Sequence, residues 1–232
     1  MTGMVGAFTA TILAAGWTTL LLAVASLVVA TVLGMAAAFA KLSGNRLLRS
    51  AASLYTFVVR GIPDLVVMLL IYYSLPALLN QWIDAMGIDA RIEFPPIVAG
   101  IATLGLIFGA YMTETFKTAL QNIPRGQIEA AIAYGLTRRR MFACIILPQL
   151  VRLALPGFTN NWLVLAKATA LVSLIGLQDV MFRAKGAAEA TGMPFTFYLV
   201  AAGFYLLVTI LSLLLLGLAA RRFEIGLREL AP

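Results

Sequence analysis

From Met1 to Ala40 the chain carries no charged side chain. Soluble domains average roughly one charged residue in four, so about ten charges are missing from that run. A helix of about 20 apolar residues crosses the hydrocarbon core of a bilayer. Within the run, Gly16–Ala40 reads as one such span. Apolar stretches recur within Ala51–Leu79, interrupted by Arg60 and Asp64, over about Pro96–Phe116, over about Leu153–Leu177 with Lys167 inside it, and over the charge-free Phe195–Ala220. Across all 232 residues, 62% are hydrophobic and only 12% charged. The expectation is an all-α integral membrane protein with five transmembrane helices, residues 1–232 forming a single membrane domain. The N-terminus lacks the basic region of a cleaved signal peptide, so the first span is expected to be retained.

Several chemistries are excluded by what is missing. There is no histidine, which removes a His-ligated metal site and a histidine general base. The single cysteine, Cys144, allows no internal disulfide. No G-x-x-x-x-G-K-[ST] pattern occurs, so the chain carries no P-loop for ATP. The net charge of +7 is read as basic residues kept on one face of a membrane rather than as a nucleic-acid footprint.

The distribution of those basic residues sets an orientation. One set of connections holds Lys41, Arg46, Arg49 and Arg60, then Lys117, Arg125, Arg138, Arg139, Arg140 and Arg152, then Arg221, Arg222 and Arg228. The opposite set holds only Arg91, Arg183 and Lys185. The rich set is expected to face the cytosol. Five spans then place the N-terminus outside and the C-terminus in the cytosol.

Between the third and fourth spans lies a polar segment, residues 124–148, on that cytosolic side. Pro124 suits the first turn of a helix and Gly135 its exit, so Arg125–Tyr134 is expected to form a short helix. Ala130, Ala131 and Ala133 are small enough for close packing into a partner's groove. Glu129 offers a carboxylate near the helix start, where the dipole favours it, and Thr137 can cap the next helix. The competing reading is an amphipathic connection on lipid headgroups, anchored by Arg138–Arg140. That lipid role suits the three arginines better than it suits the Glu129–Gly135 stretch.

The order Glu129-Ala130-Ala131, three residues, Gly135, nine residues, then Ile145, Ile146 and Leu147-Pro148 resembles the EAA signature of bacterial ABC importer permeases. The resemblance continues over half the chain. Arg60-Gly61-Ile62-Pro63-Asp64-Leu65, Gly109-Ala110-Tyr111-Met112-Thr113-Glu114, and the stretch from Leu155-Pro156-Gly157 through Asn160-Asn161-Trp162 to Lys167–Ser173 appear in the expected order. They are similar to type I importer permeases of the His/Glu/Gln/Arg/opine group. Ile62 and Asp64 resemble its Q-type branch for basic amino acids or opines.

The resemblance implies an amino acid translocation subunit without catalytic residues, located in the bacterial inner membrane. It implies as partners a second, related permease, two ATPase subunits that bind ATP and magnesium, and a periplasmic substrate-binding protein. Glu129, Ala130, Ala131, Gly135, Leu147 and Pro148 are the residues it assigns to coupling with the ATPase.

Ionisable and amide groups inside spans are costly and count as candidate pathway residues. Asp64 follows Pro63, whose missing N–H frees a carbonyl; a carboxylate there can meet a cationic substrate, or pair with Arg60 one turn earlier. Glu114 is placed equally well to contact substrate or to pair with Lys117. Lys167 is expected to pair with a carboxylate such as Glu114, since a fixed cation would repel a cationic substrate. Asn160 and Asn161 can bridge helices or line the route. Trp17, Trp82, Trp162, Tyr72, Tyr73 and Tyr198 fit interfacial belts, and the small run Gly34–Ala38 a helix-packing face. The alternative function is an ATP-independent secondary transporter or channel component. The lack of an evident internal repeat counts against it.

Overall fold

The structure is a computed structural model that describes residues 2–223; Arg228, used above in the orientation argument, lies outside them. Among the described residues there are helices and connections but no strand. The helices are α1 (Thr2–Ala14), α2 (Gly16–Leu42), α3 (Arg46–Gly61), α4 (Asp64–Ala85), α5 (Pro96–Gln121), α6 (Arg125–Ala133), α7 (Arg138–Ile175), α8 (Val180–Thr191) and α9 (Pro194–Phe223). Five are long and apolar enough to cross a membrane: the α1–α2 stretch, α4, α5, α7 and α9.

The second span differs from the sequence expectation. Ala51–Gly61 belongs to α3, a separate amphipathic helix that buries only Ala52, Thr56 and Val59. The span itself is Asp64–Ala85. Proline disfavours the helical conformation in the residue before it. Ile62 is accordingly extended (φ −105°, ψ 138°), and the helix restarts at Asp64. Another addition is α8, a surface helix between the fourth and fifth spans.

Two spans carry the same local device. At Leu70–Ser74 in α4 and at Phe142–Ile146 in α7 the helix widens to a π-turn, and a proline, Pro76 or Pro148, follows two residues later. Proline brings no N–H to the ladder. In each case the N–H just before it, of Leu75 or Leu147, reaches back five residues, to Leu70 O or Phe142 O. Such turns bend a helix at a fixed place.

The main core is built around α5, with Leu104, Ile107, Phe108 and Met112 fully buried against Leu22, Ala30 and Ala38 of α2. Glycines let the two helices close. A Cβ at Gly34 would stand 2.5 Å from Met112 Cβ, and one at Gly105 would stand 2.5 Å from Val29 Cγ1. The predicted packing role of the Gly34 run is thus seen directly. A second, smaller core joins α1, α8 and α9 through Ile12, Val180, Ala184, Phe197 and Ala201. The outward faces remain apolar, as at Val28, Val32, Leu207 and Leu214, which suits lipid.

Candidate coupling and translocation site

α6 stands between α5 and α7 on the face where α2 ends and α4 begins. Its entry is Pro124 in extended conformation (φ −60°, ψ 125°). Its exit is a complete Schellman motif: Leu136 N–H donates to Ala131 O at 3.0 Å and Gly135 N–H to Ile132 O at 2.9 Å. Gly135 has φ +71°, a conformation that glycine adopts at little cost. Ala131 is buried toward the body of the protein, whereas Glu129, Ala130, Ile132 and Tyr134 are exposed, Tyr134 to 86%. An exposed tyrosine, isoleucine and carboxylate on one rigid turn form a surface that the chain itself leaves uncovered.

The base of α7 completes this surface. Thr137 Oγ1 accepts from Arg140 N at 3.4 Å as its cap, and Arg138–Arg140 are exposed. Leu147 and Pro148 are exposed immediately after the π-turn. Gln149, which the sequence reading passed over, bridges the two elements. Its Nε2 donates to Gln127 Oε1 on α6 at 2.6 Å and to Ile145 O at 2.9 Å. The signal was a glutamine directly after Pro148, but only the fold pairs it with Gln127.

Of the pairings expected from the sequence, Glu114 with Lys117 forms, and the others are replaced. Glu114 meets Lys41 at 2.5 Å and Lys117 at 3.4 Å. Lys41 Nζ also donates to Thr56 Oγ1. This knot joins the end of α2 to the middle of α3 and the last third of α5. Lys167 therefore does not pair with Glu114; it is exposed. Nor does Asp64 pair with Arg60. The Arg60 guanidinium lies over the Tyr111 ring, 5.2 Å from its centroid, an arrangement favoured by the ring's quadrupole. Because the chain breaks at Ile62–Pro63, Asp64 opens a new helix instead of standing one turn above Arg60. Asp64 is half-buried and Asn160 exposed, while Asn161 is buried and donates to Thr115 Oγ1 at 3.0 Å. Asn161 thus bridges α7 to α5, and the side chains of Asp64, Asn160 and Lys167 have no hydrogen-bond or ion-pair partner among the described residues.

One buried acid lies in a connection and was missed. Asp179 caps α8: Oδ1 accepts from Phe182 N at 2.8 Å, and the residue is 0% exposed. Burial pushes its carboxyl up to about 6, against the opposing pull of the backbone N–H groups of Phe182 and Met181. An aspartate directly before a helical run is a recognisable N-cap signal.

A five-span helical chain with a short, exposed helix between spans three and four is built as a multi-pass transport permease. Comparison with known proteins gives the family. The chain belongs to the family described as "Binding-protein-dependent transport system inner membrane component", whose profile matches residues 30–225. It is 47% identical over 226 residues to the histidine/lysine/arginine/ornithine transport system permease protein HisQ of Salmonella typhimurium, covering 97% of this chain and 99% of the relative. It is 38% identical to the octopine transport system permease protein OccQ of Rhizobium meliloti, with 91% and 89% covered. It is also 38% identical to the arginine ABC transporter permease protein ArtQ of Escherichia coli, with 88% and 92% covered. Among solved structures, an amino acid ABC transporter crystallised with histidines superposes with a TM-score of 0.77 at 29% identity, covering 93% of this chain and 95% of that one. The MetNI methionine ABC transporter, with a TM-score of 0.69 at 16% identity, shares the fold.

Proposed function

We infer that the chain is the membrane-translocation subunit of an ATP-driven importer for amino acids, with basic amino acids or opines as cargo. The observation that carries this reading is the 47% identity to a histidine/lysine/arginine/ornithine permease along nearly the whole of both chains. Octopine and arginine permeases among the relatives support the same substrate class. The matching family weighs against an ATP-independent transporter.

The partners follow from that role: a second, related permease, two ATPase subunits that bind ATP and magnesium, and a periplasmic binding protein. The chain sits in the bacterial inner membrane, with its N-terminus outside and residues 124–148 in the cytosol as the coupling segment. Glu129, Ala130, Ile132 and Tyr134 form the face that meets the ATPase. Closure of the ATPase dimer displaces α6. The Gln127–Gln149 bond passes the displacement to the base of α7, where the π-turn and Pro148 allow a bend. The interlocked α2–α5 pair moves as one body. ATP shifts the equilibrium between inward- and outward-open states only because the ATPase grips α6 differently in each.

The test is ATPase activity of the reconstituted complex with its partner permease, ATPase and binding protein, with arginine, histidine or octopine added in turn. Stimulation by the loaded binding protein with one of these substrates is expected. Uptake that proceeds with no ATPase subunit present contradicts the reading.

A further inference from the structure

Asp179 is a fully buried acid for which the translocation reading has no use. One carboxyl oxygen serves as the α8 cap; the other, Oδ2, is buried with no hydrogen-bond partner among the described residues. Among the described residues, the surrounding elements bring no countercharge. From α2, Thr19 Oγ1 accepts from the adjacent Val180 N at 3.2 Å, and residues 2–40 carry no charge at all. From α9 comes Tyr205, whose hydroxyl is also buried and unpartnered and stands within the carboxyl's electrostatic reach, beside Thr169 at the end of α7. On α8 itself, Arg183 is exposed and bonded to Gln178, and Lys185 is exposed beside Glu189. Lys167 of α7 is exposed.

An ionised carboxylate in such a place loses its hydration and gains only backbone N–H partners on Oδ1 and no countercharge, which is costly. A neutral carboxylic acid keeps the cap through Oδ1 and turns the orphaned Oδ2 into a donor. We propose that Asp179 is a buried proton-binding site, and that its proton holds the α7–α8 corner closed against α2 and α9. The site lies where the two hydrophobic cores meet, so opening the corner admits water and releases the proton. Acid favours the closed corner, and alkaline conditions favour its opening. This inference stands apart from the importer reading.

The test uses the full chain in detergent or bilayers, comparing wild type with Asp179→Asn. Asparagine caps a helix as well as aspartate does, so the variant retains the fold and imitates the proton-bound form. Infrared spectra are recorded from about pH 4 to about pH 8, a range that brackets ordinary and perturbed carboxyl titrations. A protonated-carboxyl band that survives above the ordinary aspartate range, fades toward neutral pH and is missing in D179N supports the proposal. Thermal stability of wild type relative to D179N should fall as pH rises from about 4 to about 7, the window in which the closed form binds more protons than the opened one. Absence of any D179N-sensitive carboxyl band, or a stability difference that stays level across that window, overturns it.

Discussion

Lys41 and Glu114, 73 residues apart in sequence, meet at 2.5 Å between the end of α2 and the last third of α5. The Lys41 side chain is only 10% exposed, and Thr56 of α3 takes a further hydrogen bond from it. Three helices thus share one ammonium group. Removing the carboxylate leaves that ammonium half-satisfied where water reaches it poorly. Glu114→Gln is expected to lower stability by about 1–3 kcal/mol, read as a drop in thermal unfolding temperature. In a double-mutant cycle with Lys41→Met, the two losses should sum to more than the loss in the double variant. Additive losses would show that the pair contributes nothing.

Gly105 tests the α2–α5 interlock. Val29 already occupies the space a side chain would need, and both helices are held elsewhere along the same seam at Gly34. Gly105→Val should cost about 1–3 kcal/mol or more by overpacking. The companion change Val29→Ala should recover part of it. Unfolding midpoints of the two single variants and the pair decide the matter.

The exit of α6 depends on Gly135. Any L-residue placed at φ +71° meets the left-handed penalty of about 1–2 kcal/mol. Gly135→Ala is therefore expected to fray the last turn of α6 while leaving the spans intact. Amide exchange of residues 130–136 should quicken in that variant, with the exchange of α5 unchanged.

Gln149 ties α6 to α7 through a side-chain hydrogen bond at the surface, worth about 1 kcal/mol. Gln149→Leu should scarcely change global stability. Its effect is expected in transport, as fewer substrate molecules moved per ATP hydrolysed, because α6 can then shift without carrying α7. An unchanged ratio would remove Gln127–Gln149 from the coupling path.

Much of this was legible from the chain itself. Long apolar runs announced the spans, and Pro124 and Gly135 bracketed α6 to within a residue of its observed end at Ala133, since both residues have strong and local backbone preferences. The second span was misplaced because hydropathy sums over Ala51–Leu79, whereas a single residue, Pro63, decides where the helix breaks. The Glu114–Lys117 pair lies along one helix and was legible; the partner of Arg60, the further partner of Glu114 and the lack of a Lys167–Glu114 pair were not, for a related reason. Neighbours along a helix can be counted from sequence, but Lys41 reaches Glu114, and Arg60 reaches Tyr111, across helices. Asp179 carried a readable cap signal, yet its burial arises from α2, α7 and α9 closing around it.

The central claim is that α6 is the element through which an ATPase subunit drives the spans. Glu129 is exposed and forms no ion pair among the described residues, so Glu129→Lys should leave folding and membrane insertion as in wild type. The most direct measurement is the ATPase and uptake activity of the reconstituted importer carrying that substitution. The account predicts weakened retention of the ATPase subunit and loss of binding-protein-stimulated hydrolysis and of uptake, at least tenfold or about 1.4 kcal/mol, with the thermal midpoint of the permease unchanged. Wild-type uptake and stimulation in the Glu129→Lys complex would contradict it.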